Sequence, residues 1–162
     1  MLQENTTENK IINRPSFLHL LCVLSFLGSG WNAFNGLFAA LNAGDIEPEQ
    51  LKSLLSIYDN FQFPLADLKA DLEAYTVNSL LNAGNLGTGN FMLHSISLIG
   101  IYQMYNLQRI GFYIYAASQL TLPFVGLIFG GANTIGWYVF GFSAFLSLLF
   151  IFLYKLNYRH FQ

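Results

Sequence analysis

Residues 16–44 read S-F-L-H-L-L-C-V-L-S-F-L-G-S-G-W-N-A-F-N-G-L-F-A-A-L-N-A-G, a run without Asp, Glu, Lys or Arg. The run exceeds the roughly 20 apolar residues with which a helix crosses about 30 Å of hydrocarbon. Within it Ser25, Gly28, Asn32, Asn35, Ala39 and Asn42 recur at steps of three and four, which is the spacing of one helical face. The stretch therefore reads as a membrane-crossing helix over 16–41 with one small, polar stripe, stopped at Gly44 and Asp45.

The rest of the chain repeats the pattern. Of 162 residues 54% are hydrophobic and 10% charged, less than half the charged share of an ordinary soluble domain. No charged residue falls within 15–44, 74–108 or 110–154, and the last gap, at 45 residues, holds two crossings joined by a turn. Further spans are predicted over 86–107, 110–130 and 135–156. Residues 74–85 are excluded from the second span because Asn78, Asn82, Asn85 and Gly84 make a poor lipid-facing surface. Pro123 lies inside the third span and removes a ladder hydrogen bond, predicting a kink near Gln119.

The fold class expected is all-α: a polytopic membrane protein with four transmembrane helices in an antiparallel bundle. Residues 1–15 read as a polar cytoplasmic tail, and Glu4 and Glu8 offset Lys10 and Arg14, which argues against a cleaved signal peptide. Residues 45–83 read as an acidic, amphipathic extracytoplasmic segment, with seven acids against two lysines over 45–73. Pro48 opens one short helix there, and Leu65, Leu68, Leu72 and Tyr75 mark a second after a break at 60–64.

Sidedness follows from the basic residues. Lys10, Arg14, Arg109, Lys155 and Arg159 fall on one side and Lys52 and Lys69 on the other, which places both termini in the cytoplasm. Tyr102, Tyr105, Tyr113 and Tyr115 flank Arg109 and read as interfacial anchors. The net charge of −2, with scattered bases, excludes nucleic acid as a partner. Cys22, the sole cysteine, offers neither a disulfide nor a Cys-based zinc spacing.

The second span carries a matching stripe, Gly87, Asn90, His94 and Ser97. Counted from the cytoplasmic ends at about 1.5 Å per residue, Asn32 matches Asn90 in depth, Gly28 matches His94, and Ser25 matches Ser97. The first span should therefore pack on the second. The third span adds Gln119. Candidate polar residues between helices, or along a path, are Ser25, Asn32, Asn35, Asn90, His94, Ser97 and Gln119. One reading is that they hold helices together, since small residues and interhelical hydrogen bonds drive association in lipid. The other is a polar path for small solutes. His94 is the only ionisable group of this set, and no intramembrane Asp, Glu, Lys or Arg accompanies it.

No nucleophile elbow, phosphate-binding glycine loop, His-Glu-x-x-His or calcium loop is present in the sequence. The reading is non-enzymatic, with no cofactor or metal. A membrane accessory or assembly subunit is the first function it suggests, and a small-solute channel or transporter the alternative. Expected partners are the lipid bilayer and other membrane proteins or a second copy.

Arg14-Pro15-Ser16-Phe17-Leu18, Leu21-Cys22-Val23-Leu24-Ser25-Phe26, Gly28-Ser29-Gly30 and Gly111-Phe112-Tyr113-Ile114-Tyr115-Ala116 with Gln119 resemble small four-helix integral membrane proteins of Bacteroidota. The likeness covers both ends of the chain and weakens through the acidic segment. It implies a bacterial inner-membrane address and transfers no catalytic residue.

Overall fold

The charge-free runs are helical, the conformation in which a segment satisfies its backbone donors and acceptors within itself. The computed structural model describes residues 15–44, 47–59 and 66–162. Among these there are six α-helices: α1 (Ser16–Leu41), α2 (Pro48–Asp59), α3 (Ala66–Leu81), α4 (Ala83–Tyr105), α5 (Arg109–Gly130) and α6 (Thr134–Leu156). A 3-10 turn, Tyr158–His160, follows. The expected polar tail over 1–14 and the break at 60–64 lie outside the described residues.

Three helices, α1, α5 and α6, are long and apolar enough to cross a membrane. With 23 residues α4 has the length, but Asn85, Thr88, Asn90 and His94 lower its hydropathy. It lies between α1 and α5, and glycines set both contacts. A Cβ placed on Gly87 would meet Ala40 N and Gly36 O at 2.7 Å, and one on Gly36 would meet Phe91 N at 2.7 Å. On the other face a Cβ on Gly100 would meet Tyr115 N at 2.7 Å, and one on Gly111 would meet Met104 N at 2.6 Å. Real Cβ contacts are never so short, so backbone touches backbone at both crossings. Such close approach is how helices gain packing energy where lipid tails are as apolar as the side chains.

The order is thus α1 on α4, α4 on α5 and α5 on α6, while α1 and α6 share little backbone contact. They meet at one end, where the Tyr154 hydroxyl donates to Leu21 O at 3.2 Å. There Leu18, Leu21, Cys22, Ile101, Met104, Phe112, Tyr115 and Tyr154 close into one apolar core.

Two expectations are corrected. The buried face of α1 is Leu18, Leu21, Cys22, Ser25, Ser29, Ala33 and Gly36, so the stripe is turned away from its asparagines. Asn35 and Asn42 are exposed. Asn32 Nδ2 donates to Gly28 O and Asn42 Nδ2 to Phe38 O, both at 2.8 Å. Side chains that bond back to their own helix need no neighbour, and the close crossing selects glycine and alanine. The register also differs from the depth count by one turn: Ser97 meets Ser29, not Ser25. The Gly36–Gly87 crossing sets this register, and distances counted from helix ends do not detect it.

The second correction concerns α4, which begins at Ala83 and ends at Tyr105, not at 86 and 107. The polar stretch before it, read as an amphipathic helix that prolongs the span, carries the helical ladder through Asn82, with Asn82 N donating to Asn78 O at 3.0 Å and Leu86 N to Asn82 O at 2.9 Å. α5 runs unbroken through Pro123 from Arg109 to Gly130.

At the far end α3 lies on the α5–α6 turn. Asp71 Oδ2 accepts from Thr134 N at 3.1 Å and Asp71 O from Asn133 Nδ2 at 2.6 Å. Asn133 Oδ1 caps α6 by accepting from Gly136 N at 2.9 Å. An acid at a helix N-terminus is stabilising. The Tyr75 ring rests on Gly130, where any Cβ would strike it, and Gly131 takes φ +109° to make the turn. Tyr58 Oη and Thr76 Oγ1, 2.9 Å apart, tie α2 to α3. Gly130→Leu should displace Tyr75 and loosen α3. Trypsin cleavage after Lys69 in reconstituted protein should then quicken about tenfold, the effect of a ~1.4 kcal/mol loss in docking; an unchanged rate would show that Tyr75 does not hold α3.

At the core end the segment after α6 folds back on the α4–α5 turn. Gln162 N donates to Leu107 O at 2.6 Å, Arg109 N to Gln162 O at 3.0 Å and Arg109 Nε to Phe161 O at 3.0 Å. Leu107 adopts φ 61°, a left-handed conformation disfavoured for a non-glycine residue. The segment that carries Arg159 and His160 is therefore structural, with Phe161 in the core.

Candidate functional site

Because α1 and α6 diverge from their meeting point at Tyr154, a cavity of about 550 Å³ opens on the α3 side of the core. All four long helices line it. α1 contributes Leu24, Ser25, Gly28, Ser29 and Asn32; α4 contributes Asn90 and His94; α5 contributes Tyr115, Gln119 and Leu122; α6 contributes Phe142, Ser143, Leu146, Ser147 and Phe150. The spacing explains the set: 25, 28, 29 and 32 share one face of α1, 115, 119 and 122 one face of α5, and 143, 146, 147 and 150 one face of α6. None of these side chains is an acid, lysine or arginine.

One hydroxyl joins three helices. Ser29 Oγ and Ser97 Oγ are 3.2 Å apart, and Gln119 Nε2 donates to Ser97 Oγ at 3.1 Å. Ser97 is fully buried, so it sits behind the cavity wall and fixes the Gln119 amide that faces the cavity. Ser25 Oγ, beside the Tyr115 and Tyr154 hydroxyls, completes no hydrogen bond of proper geometry, and neither does His94 Nδ1. Both atoms are buried. A buried polar atom without a partner is uncommon and marks a place where something else can bond.

Of the residues singled out from the sequence, Ser25, Asn32, Asn90, His94 and Gln119 line the cavity. Ser97 supports it from behind, and Asn35 is exposed elsewhere on α1. The structure adds Ser29, Tyr115, Ser143 and Ser147. Tyr115 is not an interfacial anchor: it is buried against Tyr154, ring centroids 4.9 Å apart. Its helical spacing to Gln119 and Leu122 was the available signal.

His19 belongs to a different place. Its ring lies 5.7 Å from that of Tyr105, in an apolar groove of about 340 Å³ shared with Cys22, Phe26, Ile101 and Tyr102. Among the described residues no group of three or more His, Cys, Asp or Glu converges. No family model, curated protein or solved structure matches the chain.

The Ser29–Ser97 contact supplies a direct check on register. In a Cys22→Ala background, the pair Ser29→Cys and Ser97→Cys should cross-link on mild oxidation, because hydroxyls 3.2 Å apart put the sulfurs within bonding reach. The pair Ser25→Cys and Ser97→Cys should not. Cross-linking of the second pair in place of the first, read as a gel-shift after cleavage between α1 and α4, would restore the register counted from the helix ends.

Proposed function

We propose that the chain is a four-crossing protein of the bacterial inner membrane, with both termini in the cytoplasm. It acts as a non-enzymatic accessory component that retains a small molecule in its cavity. The fourth crossing is α4, whose polar residues Asn90 and His94 face the cavity and so do not burden its passage through lipid. Arg109 and Lys155 mark one end of the helices, and Lys69 stands beyond the other, in keeping with the bias of basic residues toward the cytoplasm.

The observation that carries the retention reading is a cavity lined by both polar and apolar side chains, with a shut floor. Tyr154 and Met104 are 0% exposed beneath it, and the α1–α4 seam beside it is closed backbone to backbone at Gly36 and Gly87. A solute that enters meets Ser25 and His94 and goes no further. This favours holding over conduction between α1 and α4.

The test has two arms. Gentle extraction of the native membrane followed by native mass spectrometry should find the chain carrying a small molecule. Liposomes containing the purified chain should pass glycerol and urea no faster than empty ones, with or without His94→Leu. Flux that His94→Leu or Asn90→Leu abolishes, in protein that still inserts, would replace retention with transport.

A further inference from the structure

We infer that the cavity is entered sideways from the bilayer, through the gap between α1 and α6, and that it takes an uncharged amphiphile with a hydrogen-bonding head on an apolar chain. This inference rests on the retention reading and names the class of molecule retained.

The head is set by the wall. No acid, lysine or arginine lines the cavity, so an ionised head would lose its water with no counter-charge in exchange, a heavy cost in a site of low dielectric. A neutral hydroxyl or carbonyl loses less, and here it gains partners. His94 Nδ1 is buried and bonds to nothing, and Ser25 Oγ, equally buried, completes no hydrogen bond of proper geometry with the Tyr115 and Tyr154 hydroxyls beside it; a head that both donates and accepts suits the two together. The Gln119 amide, held by Ser97, offers a fixed third contact.

The route is set by what is closed. Tyr154 bonded to Leu21 O seals the floor, and Ser29 against Ser97 seals the flank toward α4. Between α1 and α6, by contrast, Leu24 and Phe142 line the cavity while remaining 52% and 68% exposed. Apolar side chains that belong to the cavity and to the lipid-facing surface together describe a slot through which a chain can trail into the bilayer. Gly28 stands at this slot, with nothing within 4 Å of an added Cβ.

The test uses the full chain in phosphatidylcholine nanodiscs. The probe is a 1-monoacylglycerol carrying a diazirine near the ester. Light should attach it to peptides of α1 and α6. Unlabelled monoacylglycerol should compete, and lysophosphatidic acid of the same chain length should compete about tenfold less well, an energetic gap of ~1.4 kcal/mol. Gly28→Trp fills open space and should cut labelling about tenfold at an unchanged melting temperature; Gly28→Leu is the milder filler should the larger ring impair folding. Loss of labelling in the Ser25→Ala, His94→Leu double variant places the head at those atoms.

Equal competition by lysophosphatidic acid would overturn the neutral head, and labelling indifferent to both Gly28 variants would overturn the lateral route. If the probe fails to label but Gly28→Leu still strips the molecule that native mass spectrometry finds, retention stands and the amphiphile class falls. If no molecule is found either, retention falls with it.

Discussion

Gly87→Leu should leave little folded protein. The added Cβ alone would stand 2.7 Å from Gly36 O and from Ala40 N, both backbone atoms that no rotamer change can move. The variant must push α1 off α4, and α1 has no other extensive packing partner to hold it in place. Overpacking a core ordinarily costs about 1–3 kcal/mol and occasionally more, and contact with backbone on both sides puts this site at or beyond the upper end. Fluorescence-detected size exclusion and thermal unfolding in detergent provide the check. Gly28→Leu is the matched control, the same substitution on α1 with nothing within 4 Å, and it should keep both the monodisperse peak and the midpoint. A normal melting temperature for Gly87→Leu would mean that the two backbones are not in contact.

Phe161→Ala should be the most damaging truncation after α6. Phe161 is 1% exposed, packs into the core with Leu107, Phe112 and Tyr154, and presents its carbonyl to Arg109 Nε. Removing a buried phenyl ring typically costs about 3–5 kcal/mol. By contrast Phe142→Ala, at a position 68% exposed, should change stability by about 0.5 kcal/mol or less. Thermal midpoints of the two variants, measured side by side, separate a core residue from an exposed one. Equal midpoints would place Phe161 outside the core.

The difference between these two phenylalanines was not legible in the sequence. Phe142 lies in an apolar run and Phe161 follows the basic Arg159 and His160, so hydropathy ranks them the wrong way round. Only the return of Gln162 to Leu107 O brings Phe161 inside, a contact between residues far apart in the chain. Helices bounded by charges and turns were easier to read. The stretch expected over 16–41 is α1, Ser16–Leu41, and those expected over 110–130 and 135–156 each begin one residue earlier, as α5 and α6. α4 is less legible because Asn78, Asn82, Gly84 and Asn85 make a poor lipid-facing surface and so start the expected span at 86, whereas the helix begins at Ala83.

The candidate site was legible to the same depth. Periods of three and four identify a face but tolerate a rotation of one residue, which is why Asn32 lines the cavity and Asn35 does not. Pairing of polar residues by depth brings Ser97 against α1 but names Ser25 as its partner, where the structure has Ser29. It could not show that Ser25 and His94 are left over, since that depends on where α6 diverges from α1.

The pairing of α1 with α4, across the intervening α2 and α3, also sets a schedule for synthesis. About 64 residues separate the last residue of α1 from the last of α4, so at about 5–20 residues per second a ribosome completes the partner roughly 3–13 s after α1 has emerged. In the proposed topology α1 is already in the membrane by then, with Ser29 and Gly36 turned to whatever surrounds it. The first helix is thus an orphan for part of its life. The insertion machinery must shelter it until α4 arrives, and a chain stalled within α3 would present quality-control proteases with a helix whose small, polar face has nothing to dock on.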